Sequence, residues 1–193
     1  VKALSLWQPW ATLLVNGWKG TETRSWGTPD RGWIAIAATA TLPPEGRRAL
    51  KQTMFQAALY HCVSSVGIGR RAEVLPGDLP YGAILGIAKI GGCRTMTAGR
   101  IAERRECEPM EHAFGDYRPG RFEWHIERAH VFIEPIPCRG GQKLWNVKGE
   151  LATELEDRLV KGAMKPKEAR RLCQPQPVPS LFDEPSRALE GKQ

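Results

Sequence analysis

Long apolar runs are absent from this chain of 193 residues, so no segment approaches the length a bilayer crossing needs and no membrane partner is expected. No secretory leader is visible at its start. The five cysteines, Cys62, Cys93, Cys107, Cys138 and Cys173, are odd in number and widely spaced. They form no C-x-x-C pair and no cysteine–histidine cluster at zinc spacing, which excludes a disulfide framework and a structural zinc site. Free thiols in a reducing cytoplasm are the expectation, with no metal and no cofactor. Acidic residues are in deficit, 21 against 28 Lys and Arg, giving a formal charge of +7. The excess is patchy: residues 44–100 hold eight basic residues to three acidic, and 158–171 hold six to one, whereas 101–147 hold seven to eight. A basic patch suits contact with phosphate.

What the chain has in quantity is tryptophan, and five of the seven fall between Ser5 and Trp33, in SLWQPWATLLVNGWKGTETRSWGTPDRGW. Lys19, Glu22, Arg24 and Arg31 stand among them. Flat aromatic surfaces beside a few charged groups can hold planar ligands with polar edges, such as bases. The stretch is therefore read as a pocket wall. Core packing is the competing reading for Trp7 and Trp10, and a solvated ion pair is the competing reading for the charged set.

Along the chain, Lys2 to Leu6 reads as a strand, Pro9 to Asn16 as a short apolar helix ended by Gly17, and Lys19 to Trp26 as a second strand. Period two puts Glu22, Arg24 and Trp26 on one face and Thr21, Thr23 and Ser25 on the other, with Gly20 free to swing Lys19 round. Trp33 to Ala38 and Tyr81 to Ile90 are apolar on both faces and suit central strands. One helix is expected from Pro43 to about Cys62. Residues 67–77 read as a loop carrying Arg70 and Arg71, and residues 94–113 as a loop or lid with a short helix. Phe122–Glu127 and His130–Ile136 read as two strands, with His125 a structural residue, and Leu144–Val147 as a closing strand. Leu151, Leu155, Leu159 and Val160 define a helix to about Arg171, followed by a proline-rich, disordered tail.

The runs LSLWQPWATLLVNGWKGTETRSW, RGWIAIAA, GAILGIAKI, FGDYRPGRFEWHIERAHVFIEPIP and GQKLWNV, in that order, resemble the ASCH domain, a relative of the PUA fold. The resemblance implies an α+β fold: a small, mixed, partly open β-barrel with flanking helices. This domain would fill residues 1–147, with a basic helix at 148–173 and a flexible tail at 174–193. It also implies association with RNA and, in some members, hydrolysis of acyl groups from the N4 amine of cytidine. The lysine given a catalytic role there falls on Lys19. The threonine position three residues later is Glu22 here, flanked by Thr21 and Thr23, and the glutamate falls on Glu108 or Glu111.

The candidate ligand-binding set is Trp7, Gln8, Trp10, Lys19, Glu22, Arg24, Trp26, Arg31 and Trp145. The candidate catalytic set is Lys19, Glu22, Thr21 and Thr23. The expected partner is single-stranded or structured RNA, or a modified nucleoside. Three functions remain in view: nucleic-acid binding, amidohydrolysis of N4-acylcytidine, and an adaptor role in which Ser180-Leu-Phe182-Asp, similar to the end of sliding-clamp-binding peptides, engages a protein.

Overall fold

Both apolar strands behave as their two-faced pattern predicts. In the computed structural model, which describes residues 1–64 and 73–163, they lie in the middle of one six-stranded sheet. The strands are β1 (Lys2–Leu6), β2 (Thr21–Arg24), β3 (Gly32–Ala38), β4 (Ala83–Thr95), β5 (Phe122–Pro137) and β6 (Leu144–Asn146). Their order is β2-β5-β4-β3-β1-β6, and every pairing is antiparallel except β1 with β3. Six α-helices and a 3-10 turn at Pro76–Asp78 complete the described fold: α1 (Trp10–Val15), α2 (Pro44–Ala49), α3 (Thr53–Ser64), α4 (Ala98–Cys107), α5 (Pro109–Ala113) and α6 (Glu150–Ala163).

Alternation along β1 and β3 divides the core. Leu4, Leu6, Ile34 and Ile36 join Leu14 and Val15 of α1 and Trp124 of β5 on one face. Ala3, Ala35 and Ala37 join Ile84, Ile136 and Leu155 of α6 on the other. Leu155 has no exposed surface, so α6 is packed as a cover on the sheet. A third cluster, with Leu13, Phe55, Leu59 and Phe114, ties α1 to α3. The sheet curls into a half-barrel. Arg24 on the edge strand β2 donates from Nη2 to the carbonyl of Ser5 on β1, four places along the order, at 3.2 Å.

Three expectations change. The helix from Pro43 to Cys62 is two helices, because the chain breaks at Leu50, whose carbonyl is taken by the Gln56 side chain at 2.5 Å. Residues 94–113 are no lid: β4 runs on to Thr95, and α4 and α5 follow. Helix α4 buries none of its residues, so no apolar stripe announces it. It is held instead by charge, with Arg100 Nη2 at 2.7 Å and Arg104 Nη2 at 3.3 Å from the buried carboxylate of Glu123, which also binds Arg94. Lastly, the two strands after Phe122 are one strand of 16 residues. Register shifts against β4 break its period-two pattern, since each bulge sends following side chains to the opposite face.

The second strand is also shorter than its pattern, stopping at Arg24. Trp124 is buried and His125 exposed, which settles their opposite parity. The 67–72 part of the Arg70–Arg71 loop, the helix end beyond Ala163, Cys173, the tail and its Ser180–Asp183 motif lie outside the described residues. No described helix is long and apolar enough to cross a membrane.

The Glu123 cluster has a testable acid limb. Burial raises the carboxyl's pKa, but the hydrogen bond from Arg94 and the charges of Arg100 and Arg104 outweigh it, holding it below its ordinary 4.5. A depressed carboxylate contributes stability above the unfolded value and loses it as pH falls through the folded one. Urea midpoints are expected to decline below about pH 4.5. Glu123→Gln should flatten that decline and cost about 1.5–3 kcal/mol at neutral pH. An unchanged acid limb in the variant would show that other carboxylates carry it.

Candidate functional site: a cleft over a buried lysine

Helix α1 is short because Gly17, at φ 79°, takes the left-handed turn that ends it, and Trp18 and Lys19 then return under Leu13, whose carbonyl accepts both of their N–H groups. That return sinks Lys19 to 1% exposure. Its Nζ donates to the Thr21 carbonyl and lies 3.5 Å from Glu22 Oε2 and 3.9 Å from Glu111 Oε1. A buried ammonium is tolerable only with such partners. Glu22 in turn meets Arg24 Nε at 3.0 Å, a charge contact without hydrogen-bond alignment.

Glu111 is fixed from both sides. Its Oε2 accepts the Gly20 N–H at 2.6 Å and its Oε1 accepts the Tyr117 hydroxyl at 2.7 Å. Burial first, and the neighbouring Glu111 charge second, push the Tyr117 phenol well above its ordinary value, so it remains a neutral donor. The Arg104 guanidinium lies over the Tyr117 ring, 5.2 Å from its centroid. A continuous polar chain thus runs from Glu123 through Arg104, Tyr117, Glu111, Lys19, Glu22 and Arg24 to the Ser5 carbonyl.

Above this chain opens a cleft of about 390 Å³. Trp7, Trp10 and Phe114 give it aromatic walls, and Lys19, Glu22, Arg24, Asp116 and Arg121 give it polar ones. Arg121 donates from Nη2 to the Thr23 carbonyl at 3.3 Å and from Nε to the Asp116 carbonyl at 3.1 Å. Hydrogen bonding from Arg118 holds the Asp116 carboxyl below its ordinary range, with the Arg121 charge helping against burial. Such an arrangement offers stacking surface with fixed donors and acceptors around it.

Of the residues picked from sequence, Trp7, Trp10, Lys19, Glu22, Thr23 and Arg24 line the cleft. The others stand apart from its lining. Gln8 is fully buried, donating to the Pro80 carbonyl at 2.7 Å and accepting from Thr12 N–H and hydroxyl, which makes it a brace for α1. Trp26 packs edge-on against Trp124 at 4.6 Å, as part of the core cluster. Arg31 is exposed and bonds its own turn at Thr28 and Asp30. Trp145 donates from Nε1 to Ser5 Oγ at 3.0 Å and stands behind that residue. Among the threonines, the Thr23 hydroxyl accepts the Asp116 N–H at 3.2 Å, and the Thr21 hydroxyl bonds to Tyr117. Lys19 therefore meets Thr21 through its carbonyl. Of the two glutamates left open, Glu111 reaches the site, and Glu108 pairs with Arg104 at 2.7 Å.

The profile of the ASCH domain matches residues 4–136, most of the described fold. The chain belongs to the ASCH domain family. Activating signal cointegrator 1 of Homo sapiens and its counterpart in Mus musculus are each 29% identical to it over 167 residues, 86% of this chain. The chain spans about a quarter of the length of these relatives, 25% of each. The crystal structure of ASCH from Zymomonas mobilis is similar at 15% identity and a TM-score of 0.48, covering 81% of this chain and 93% of that one. In this ASCH domain the site missed by the sequence reading consists of Phe114, Asp116 and Arg121, which arrive on the connection from α5 to β5. The turn-rich FGDYRPGR run was their only signal.

Removing the central carboxylate should be costly to the fold. Glu22→Gln leaves Arg24 and half of the Lys19 pairing without a counter-charge at the cleft base, and is expected to destabilise by about 3–5 kcal/mol. Adding Arg24→Gln should recover part of the loss, because the two side chains touch. Urea denaturation of the two single variants and the double variant measures the coupling. An unaltered midpoint in Glu22→Gln would refute the pairing.

Proposed function

We propose that this ASCH protein binds nucleic acid, with one unstacked base of a single-stranded RNA, or a modified nucleoside, held in the cleft. The observation that carries the reading is the pairing of an exposed aromatic rim, Trp7 at 48% exposure, with a rigid ionic floor of Lys19, Glu22 and Arg24. Stacking on the rim would be tolerant of sequence. The floor would read a base edge, since Glu22 accepts from an exocyclic amine and guanidinium groups such as Arg24 and Arg121 donate in the plane of a base. The family membership supports the same reading, as the ASCH resemblance implies RNA association. A cytoplasmic setting is proposed with it, supported by the free thiols of Cys93, Cys107 and Cys138.

Hydrolysis of N4-acylcytidine is the second reading, and one observation favours it: Lys19 lies between two carboxylates, Glu22 and Glu111, in the cleft floor. Against it stands the chemistry of the nucleophile. A lysine activates a hydroxyl by taking its proton across a hydrogen bond, and both neighbouring threonine hydroxyls are engaged elsewhere.

Fluorescence anisotropy with a labelled single-stranded RNA tests the binding reading. Trp7→Ala is expected to weaken binding by about 1–3 kcal/mol while leaving the thermal midpoint in place, because half of the side chain is already in water. Unchanged affinity in this variant would overturn the base-stacking role. Turnover of N4-acetylcytidine that vanishes in Lys19→Met would replace binding with hydrolysis as the function.

A further inference from the structure

The cations around the cleft fall into two classes. On one wall Arg118 and Arg121 are paired with Asp116, and Arg100 and Arg104 of α4 and Arg94 at the β4 end are committed to Glu123. Outside the cleft lining, Arg47 and Lys51, at and just beyond the end of α2, and Arg139 and Lys143, between β5 and β6, are all exposed and make no ion pair among the described residues.

Both unpaired sets are fastened to the same short segment, Ser5 to Gln8. Helix α2 approaches so closely at Gly46 that a Cβ there would meet the Gln8 carbonyl oxygen at 2.4 Å, and its Glu45 lines the cleft. The β5–β6 connection is tied to the other end, where the Gly141 N–H donates at 3.2 Å to Oγ of Ser5, itself a lining residue. Lys143 holds a left-handed backbone, φ 54°, which a side chain other than glycine adopts only where its surroundings enforce it. Trp7, the exposed stacking surface, lies between the two attachments in the sequence and at the cleft.

A cation already neutralised by a carboxylate gains little from a phosphate, whereas an unpaired one displaces a condensed counterion when it binds. We propose that a single-stranded RNA whose base occupies the cleft lays its flanking phosphates along the Ser5–Gln8 rim, on Arg47 and Lys51 to one side of the base and on Arg139 and Lys143 to the other. This assignment rests on the base-binding reading and adds the path of the strand. The paired wall then serves the base alone.

The test is the salt dependence of anisotropy titrations of the full chain with a fluorescein-labelled, mixed-sequence RNA of about ten nucleotides. For single strands each neutralised phosphate contributes about 0.7 to the log–log slope. Arg47→Gln with Lys51→Gln is expected to lower the slope by about 1.4, and Arg139→Gln with Lys143→Gln by about the same. Arg158→Gln, on α6 and paired with Glu154, should leave it unchanged. If the wild-type chain binds with a salt-dependent affinity and both double variants keep its slope, the rim assignment is overturned while base binding stands. If the wild-type chain binds no RNA, base binding fails and the rim assignment with it. If duplex DNA of the same length binds as tightly and loses slope equally, the rim is a general polyanion surface and the single-strand path is wrong.

Discussion

The burial of one ammonium group organises this protein. Moving a charge of that size out of water costs several kcal/mol even after relaxation, and the cost is met only by well-placed counter-charges. Lys19 obtains them from Glu22 on the strand that follows it, β2, and from Glu111 on the distant helix α5. Neither carboxylate is held by the lysine alone. Glu111 depends on the Gly20 N–H and the Tyr117 hydroxyl, and Glu22 on Arg24. Displacing any member leaves a neighbour unpaired in a region with little water, so the set acts as a unit.

That unit also locks the architecture. A half-barrel has two free edges, and the β2 edge could in principle swing away from β1. Arg24 prevents this by reaching the Ser5 carbonyl, and Arg121 braces the same strand from the other side through the Thr23 carbonyl. Helix α4, with no apolar face of its own, is held to β4 and β5 through Glu123. Charge here does the positioning that hydrophobic contact does elsewhere in the fold, where α1 and α6 cover the two faces of the sheet.

The consequence for function is a rigid floor beneath an open, aromatic mouth. Groups fixed by mutual pairing lose little entropy when a ligand arrives. The same pairing works against nucleophilic chemistry, because Lys19 Nζ is turned toward two carboxylates and the Thr21 carbonyl while the Thr21 and Thr23 hydroxyls are bonded elsewhere.

Local pattern was enough to determine part of this. The continuous apolar runs WIAIAA and GAILGIAKI mark strands buried on both faces, Gly17 marks the end of α1, and Lys19, Glu22 and Arg24 show themselves as charges set among tryptophans. The motif order was also enough for the family. Tertiary structure decided the rest, because it depends on contacts between residues far apart in the chain. The Gly20 N–H meets Glu111 across 91 positions, and such long-range contacts separate Glu111 from Glu108, which pairs with Arg104. The division of labour among the aromatic and polar neighbours, with Trp7 and Trp10 at the cleft, Trp26 in the core cluster, Gln8 bracing a helix and Arg31 in a turn, follows from the curl of the sheet. Curl is set by bulges and by cross-barrel contacts such as Arg24 with Ser5, and no window of local sequence contains both ends of such a contact.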